Sequence, residues 1–240
     1  MSNHWDQSAE AWIADMGEHG DFSREFVLDA AMLARIEGRV FRTALDVGCG
    51  EGRFCRMLQA RGIATTGVDP TETLLRTARE RDPAGDYREG RAEALEFPDA
   101  SFDLVVSYLT LIDIPDIRQA IPQMVRVLKP GGALLIANIN SFFTASGNAR
   151  WIRDADGGYQ HFPLDNYLQE RCDVVSWRAI TIDNWHRPLS VYMKLLLEQR
   201  LQLVHFDEPA PHGGDDETVS RYRRVPWHMV MEWRKSAHGA

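Results

Sequence analysis

The sequence predicts a single α/β domain built on a mostly parallel sheet of seven strands. Short segments such as ALDVG and ALLIANI are apolar on both faces, and they alternate with segments of helical periodicity. This alternation is typical of a parallel sheet that is covered by helices on each side. Glycines and carboxylates also recur directly after the apolar segments, which indicates a ligand site at the strand ends.

The elements follow one another in a regular order up to residue 139. The predicted strands are 43–48, 63–69, one within 86–95, 102–111, 133–139, 201–209 and 227–235. The predicted helices are two within 6–37, then 52–62, 70–81, 116–128 and 189–200. The segment RYRR, residues 221–224, is interpreted as a solvated loop.

We divide this single domain, residues 1–240, into four parts. Residues 1–40 are expected to form a helical lid, and residues 41–139 a cofactor-binding core. Residues 140–187 interrupt the alternation and are rich in aromatic side chains, which predicts an insertion that caps the substrate. Residues 188–240 return to the pattern and complete the sheet.

Composition narrows the class of protein. The 240 residues are 44% hydrophobic and 26% charged, as in ordinary globular proteins. A net charge of −8 disfavours a nucleic-acid partner. Three cysteines and a polar N-terminus fit a cytoplasmic protein, and no apolar run is long enough for a membrane span. The histidine and cysteine spacings predict no metal site.

The glycine-rich loop after the first strand is the main functional signal. The stretch ALDVGCGEGRF, residues 44–54, has its glycines in the pattern G-x-G-x-G. Glycine allows a sharp turn and a close approach of the backbone to a ligand. Dinucleotide-binding loops have G-x-G-x-x-G, whose third glycine is Arg53 here. This disfavours an NAD(P)-dependent oxidoreductase, which stays open as an alternative.

Two carboxylates narrow the ligand further. Asp69 ends the second strand, where a carboxylate can accept hydrogen bonds from both hydroxyls of a ribose. Asp46 precedes the glycines, where a fixed negative charge suits a cationic ligand. A ligand with a ribose and a positive centre but no phosphate matches S-adenosylmethionine, whose product is S-adenosylhomocysteine.

Four motifs in order resemble those of the class I S-adenosylmethionine-dependent methyltransferases. They are ALDVGCGEGRF, GVDPTETLL, GRAEALEFPDASFDLVVS and RVLKPGGALLIA. They look most like the small-molecule branch that includes the ubiquinone/menaquinone C-methyltransferases. The resemblance implies a Rossmann-like sheet with an antiparallel last strand and an aromatic-rich insertion after strand five. It also implies methyl transfer to an oxygen, nitrogen or carbon atom of a small organic acceptor.

The resemblance also implies a set of cofactor-binding residues at successive strand ends. These are Asp46, Gly48, Cys49, Gly50, Asp69, Pro70, Ala92, Glu93 and Ser107. Arg91 departs from the pattern, because many relatives carry Asp at this position. The departure leaves recognition of the adenine amino group to Glu93 or to the backbone.

The acceptor side is predicted from aromatic and titratable residues. His186 is the candidate general base because histidine titrates near neutral pH, and Tyr108 is a weaker candidate. Trp5, Trp12, Tyr108 and Trp185 are candidates for acceptor binding. In the alternative interpretation these rings are ordinary core, and His186 only bonds to the start of the next helix.

Two further expectations concern function and assembly. Because fold does not fix function, a non-catalytic partner or sensor that binds S-adenosylmethionine or S-adenosylhomocysteine stays open. We expect a small-molecule substrate as the partner of a monomer or homodimer.

Overall fold

A mixed sheet forms the centre of the computed structural model, which describes residues 4–147 and 151–237. The outer residues of the predicted lid and C-terminal part, and residues 148–150 of the insertion, lie outside the described residues. The strands are β1 (Thr43–Val47), β2 (Ala64–Asp69), β3 (Asp86–Glu89), β4 (Phe102–Tyr108), β5 (Leu128–Ile139), β6 (Ile152–Arg153), β7 (Tyr159–His161), β8 (Arg171–Trp177), β9 (Ile180–His186), β10 (Gln202–Asp207) and β11 (His228–Arg234).

The helices surround this sheet. They are α1 (His4–Met16), α2 (Asp29–Ala34), α3 (Arg53–Gln59), α4 (Glu72–Arg81), α5 (Ile117–Val127), α6 (Ser141–Thr144), α7 (Leu189–Glu198) and α8 (Asp216–Arg224). A π-helical turn, Arg24–Leu28, leads directly into α2.

The sheet has seven strands in the order β10-β11-β5-β4-β1-β2-β3. The pairs β1–β2, β1–β4, β2–β3 and β4–β5 are parallel. The last strand, β11, runs antiparallel to both β5 and β10. The predicted fold class, including its antiparallel last strand, is confirmed.

The apolar strands bury side chains on both faces of the sheet. In β4, Val105 belongs to one hydrophobic cluster, while Leu104 and Val106 belong to the cluster on the other side. In β5, Leu134 and Leu135 divide between the clusters in the same way. Successive side chains of a strand point to opposite faces, so a strand covered on both sides is apolar throughout.

Two helix predictions need adjustment at their ends. The helix after β2 begins at Glu72 with Thr71 as its N-cap residue, so Pro70 lies before the helix rather than within its first turn. The RYRR segment is not a loop, since it forms the last turn of α8. Arg224 donates hydrogen bonds to the carbonyl groups of Tyr159 and Gln160, and it thereby ties α8 to β7.

The segment after β5 supplies two hairpins, β6–β7 and β8–β9. Helix α1 packs on β9 through a reciprocal pair of hydrogen bonds. The Ser8 hydroxyl donates to the Thr181 carbonyl at 2.6 Å and accepts from the Thr181 N–H at 2.9 Å. Helix α1 and the β8–β9 hairpin therefore form one cover beside the sheet.

Within residues 4–147 and 151–237, no helix has the length and apolar content that a membrane span requires.

Candidate functional site

A cavity of about 420 Å³ lies beyond the carboxyl ends of β1, β2, β4 and β5. Helix α1 and the β8–β9 hairpin supply its outer wall. Eleven of the predicted site residues line it: Trp5, Trp12, Asp46, Gly48, Cys49, Gly50, Asp69, Pro70, Ala92, Glu93 and Tyr108. Ser107, Trp185 and His186 are not among the lining residues.

The glycine-rich loop turns sharply off β1. Gly48 has φ of +76°, and a Cβ at this position would overlap the side chain of Thr110. Gly50 has φ of +54°, and a Cβ there would meet no atom within 4 Å. Gly48 is therefore required by the backbone and by close packing. Gly50 is required by its backbone conformation, and it leaves open space on the cavity side.

Asp69 is held in place by the backbone. Its two carboxylate oxygens accept from the N–H groups of Gly50 and Thr71, each at 2.9 Å, and the residue is 6% exposed. Burial raises the pKa of Asp69, although these N–H groups oppose the rise. Each oxygen can accept a second hydrogen bond, so the carboxylate is fixed and still able to bind two hydroxyl groups.

Asp46 is buried without full compensation of its charge. It is 1% exposed, its Oδ1 has no hydrogen-bond partner in the part of the chain that the structure describes, and its Oδ2 accepts from the Cys55 thiol at 3.4 Å. Burial raises the pKa of Asp46 to about 7. A buried carboxylate oxygen without a partner fits a cationic group, which would stabilise the ionised form.

Glu51 has a different environment from Asp46 in the same loop. Its carboxylate forms ion pairs with Arg56 at 2.7 Å and Arg81 at 2.8 Å. The charge of Glu51 is therefore balanced within the protein, whereas that of Asp46 lacks such a partner.

An ion pair between an arginine and a glutamate borders the cavity after β3. Arg91 contacts Glu93 at 3.3 Å, and the Arg91 side chain is 56% exposed. The residue that departs from the family pattern therefore holds the carboxylate that we expect at the edge of the adenine.

Tyr108 lines the cavity with its ring, but its hydroxyl points to a protein partner. The hydroxyl donates to Asp29 Oδ1 at 2.8 Å, and Arg53 donates to the same carboxylate oxygen at 3.0 Å. Burial and the charge of Asp29 raise the pKa of Tyr108 well above its ordinary value. The geometry favours a role for the ring as a wall over a role for the hydroxyl as a base.

His186 lies outside the cavity wall, and both of its ring nitrogens are engaged. Nδ1 accepts from the Thr144 hydroxyl at 2.7 Å, and Nε2 donates to the Tyr167 carbonyl at 2.8 Å. This assignment satisfies the neutral ring, in agreement with a pKa that burial lowers. Neither ring nitrogen of His186 is therefore available to accept a proton from a ligand in the cavity.

Trp185 and Ser107 are also set apart from the cavity. The Trp185 ring packs against the Arg187 guanidinium at 4.8 Å, and its backbone N–H donates to the Ile112 carbonyl at 2.7 Å. Ser107 is completely buried, and its hydroxyl has no partner.

Several polar residues of the cavity were not predicted, among them Asp21, Arg24, Asp113 and His228. Asp113 follows β4, so the rule that ligands bind beyond strand ends could have found it. His228 is the first residue of an antiparallel strand, and a rule about carboxyl ends does not apply to it. Asp21 follows α1 and Arg24 begins the π-helical turn, and the sequence carries no comparable signal at either residue.

Residues 45–136 match the family model described as a methyltransferase domain. A solved S-adenosylmethionine dependent methyltransferase from Mesorhizobium loti is 25% identical, with a TM-score of 0.77 over 91% of this chain and 100% of that chain. Residues 45–136 therefore carry the pattern of a methyltransferase domain, and the fold is similar to that of S-adenosylmethionine dependent methyltransferases. The resemblance found in the sequence motifs is confirmed.

Curated relatives match this chain over part of its length. The malonyl-[acyl-carrier protein] O-methyltransferase of Salmonella typhimurium is 35% identical over 45% of this chain and 43% of its own. The ubiquinone biosynthesis O-methyltransferase of Bartonella tribocorum is 28% identical over 64% of this chain and 70% of its own. The chain thus spans less than half of the length of the Salmonella relative.

Proposed function

We propose that this protein transfers a methyl group from S-adenosylmethionine to a small organic acceptor. The observation that carries the proposal is the pair of buried carboxylates on neighbouring strands in one cavity. Asp69 is fixed by two N–H groups, and Asp46 has an oxygen without a partner. One suits the two hydroxyls of a ribose and the other suits a cation.

Each part of the cavity has a role in this proposal. Asp69 would hold the ribose hydroxyls, and Asp46 would lie near the amino group of the methionine portion. Glycines 48 and 50 would let the backbone approach the ligand, and Pro70 with Glu93 would border the adenine. The bound cofactor supplies a methyl group on a positively charged sulfur atom.

The protein's contribution to the reaction is then mainly positioning. Proximity and orientation of two bound reactants can lower a barrier by ~7–11 kcal/mol. The rings of Trp5, Trp12 and Tyr108 line the cavity and would exclude water from it. Because the Tyr108 hydroxyl and both His186 nitrogens are bonded within the protein, the proposal assigns no proton transfer to them.

The comparisons favour oxygen as the methylated atom, since both curated relatives are named as O-methyltransferases. A nitrogen or carbon acceptor, a monomeric or dimeric state and a cytoplasmic location stay predictions from the sequence.

Calorimetric titration of the purified full chain with S-adenosylmethionine, S-adenosylhomocysteine and NAD⁺ tests the proposal. We expect the first two to bind and NAD⁺ not to bind. Asp69→Asn should weaken binding of S-adenosylhomocysteine by about tenfold or more, because each hydrogen bond to a charged group contributes roughly 1.5–3 kcal/mol. Asp86→Asn, at an exposed carboxylate paired with Arg88, is the matched control and should bind normally.

The proposal is overturned if NAD⁺ binds in preference to S-adenosylmethionine. It is also overturned if Asp69→Asn and Asp86→Asn bind S-adenosylhomocysteine equally well. Tight binding without formation of S-adenosylhomocysteine against a broad acceptor panel would favour a non-catalytic sensor.

A further inference from the structure

We propose that the part of the cavity next to β11 is an acceptor subsite for a flat, uncharged aromatic molecule that hydrogen-bonds to His228. This inference rests on the proposed methyl transfer. It specifies the part of the cavity that binds the acceptor, the side chain that contacts it, and the kind of acceptor that this side chain favours.

His228 is a buried polar side chain in the cavity wall. It lines the cavity, is 4% exposed, and its Nδ1 has no hydrogen-bond partner among the described residues. In the sheet it pairs with Ile139, the last residue of β5, which also lines the cavity. A buried polar atom without a partner costs roughly 1–3 kcal/mol, and a bound ligand can supply the missing hydrogen bond.

The position of β11 in the sheet separates His228 from the cofactor end. Going from β1, which leads into the glycine-rich loop, the order is β4, β5 and β11. Neighbouring strands lie ~4.8 Å apart, so β11 is displaced from β1 by roughly 14 Å. That span accommodates an acceptor of one or two rings between the glycine-rich loop and His228.

The charged groups beside His228 compensate one another. Arg24 forms an ion pair with Asp21 at 3.1 Å, and the Arg24 backbone N–H donates to the other oxygen of Asp21 at 2.9 Å. Burial lowers the pKa of His228 to about 4, with Asp21 opposing and Arg24 reinforcing the shift. At neutral pH the imidazole is uncharged, so it can donate or accept a hydrogen bond.

The remaining neighbours of the His228 ring are neutral. The Tyr222 ring lies 6.0 Å from it, and the Tyr222 hydroxyl shares a hydrogen bond of 2.8 Å with Ser23. Phe143, a lining residue, stacks on Trp227 with 4.1 Å between ring centroids. A charge on the acceptor beside this ring would meet the groups Asp21 and Arg24, which already pair with each other, and burial of a charge without a counter-ion is costly.

Aromatic residues also line the cavity near Arg24. The Arg24 guanidinium lies over the Trp12 ring at 4.9 Å and over the Tyr108 ring at 5.8 Å. Trp12 contacts Trp177 of the β8–β9 hairpin edge-on at 6.3 Å. Pockets of this kind, with aromatic walls and few placed polar groups, suit small apolar ligands whose orientation one hydrogen bond fixes.

A series of naphthalene derivatives with a neutral, an anionic and a cationic substituent at the same position tests the subsite. The full chain is saturated with S-adenosylhomocysteine and titrated near neutral pH with 2-naphthol, 2-naphthoate and 2-naphthylmethylammonium. We expect 2-naphthol to bind most tightly. His228→Phe should weaken 2-naphthol binding by about tenfold, which corresponds to the loss of one hydrogen bond. His228→Asn, which keeps a donor and an acceptor, should fall between this variant and the native protein.

The control variant is His205→Phe on β10, at a half-buried histidine that does not line the cavity. It should bind 2-naphthol like the native protein, and all three variants should bind S-adenosylhomocysteine normally. Tighter binding of the anion or the cation, no binding of 2-naphthol, or equal binding by His228→Phe and His205→Phe would overturn the subsite. Failure of the native chain to bind S-adenosylhomocysteine would instead contradict the proposed function.

Discussion

Asp46 and Glu51 lie in the same glycine-rich loop, and both are buried, but only the charge of Glu51 is balanced by arginines. Glu51 is paired with two arginines, whereas Asp46 Oδ1 has no hydrogen-bond partner. A buried carboxylate whose charge is not balanced destabilises the ligand-free protein when it ionises. The interpretation of Asp46 as a ligand group therefore has a consequence for stability.

We expect Asp46→Asn to stabilise the ligand-free protein at alkaline pH. Burial raises the Asp46 pKa from 3.8 to about 7 in the folded state, so ionisation disfavours folding increasingly as pH rises between these values. The free energy of unfolding of the variant should exceed that of the native protein above pH 7, by up to about 4 kcal/mol. The excess should shrink as the pH falls toward about 4.

Urea unfolding of both proteins across this pH range measures the difference. A difference that does not change with pH would contradict the assigned environment of Asp46. The same variant should bind S-adenosylhomocysteine more weakly, so stability and binding are expected to change in opposite directions.

At the scale of elements, the cavity depends on the turn after β1 and on the cover formed by α1 and the β8–β9 hairpin. The turn places Gly48 against Thr110 of the loop after β4. The cover is joined by the hydrogen bonds between Ser8 and Thr181. Each of these contacts joins segments that are far apart in the chain, so each can be tested by one substitution.

Gly48→Ala should destabilise the protein by about 3 kcal/mol, because its Cβ adds both backbone strain and a clash with Thr110. Gly38→Ala is the control, since Gly38 also has a positive φ, +71°, but a Cβ there meets no atom within 4 Å. It should cost only about 1 kcal/mol. Combining Gly48→Ala with Thr110→Ser should recover part of the loss. Equal costs for the two alanine variants, measured by urea unfolding, would argue against the close approach.

Ser8→Ala should loosen the cover without changing the ligand contacts beneath it. It removes both hydrogen bonds to the Thr181 backbone, with a loss of about 1 kcal/mol. Release of S-adenosylhomocysteine, followed by stopped-flow fluorescence, should therefore become about fivefold faster. Ser176→Ala removes a hydroxyl that bonds to the exposed side of the same hairpin and should leave the release rate unchanged. Identical rates for both variants would show that α1 does not cover the ligand.

At the scale of the whole molecule, local patterns predicted the sheet and its glycine-rich loop. Strands such as β4 and β5 are apolar on both faces, and this pattern is visible without tertiary information. The position of Asp69 at a strand end follows from the same pattern. The basic segment at the end of α8 was missed because its contacts are with the β6–β7 hairpin, far away in the chain.

The positions of the histidines relative to the cavity could not be predicted from the sequence. His186 was predicted as the general base because histidine titrates near neutral pH. In the fold its nitrogens are bonded to Thr144 and Tyr167, whereas His4 and His228 line the cavity. That difference depends on the register of β11 against β5 and on the docking of the insertion, neither of which a local pattern specifies.

We propose that the cavity binds S-adenosylmethionine through carboxylates on β1 and β2. A crystal structure of the full chain with S-adenosylhomocysteine would show whether these carboxylates bind the ligand. We expect both ribose hydroxyls within hydrogen-bonding distance of Asp69, roughly 2.6–3.2 Å, and the ligand's amino group beside Asp46. A ligand bound with its ribose away from Asp69, or bound elsewhere on the protein, would rule out these roles of the two carboxylates.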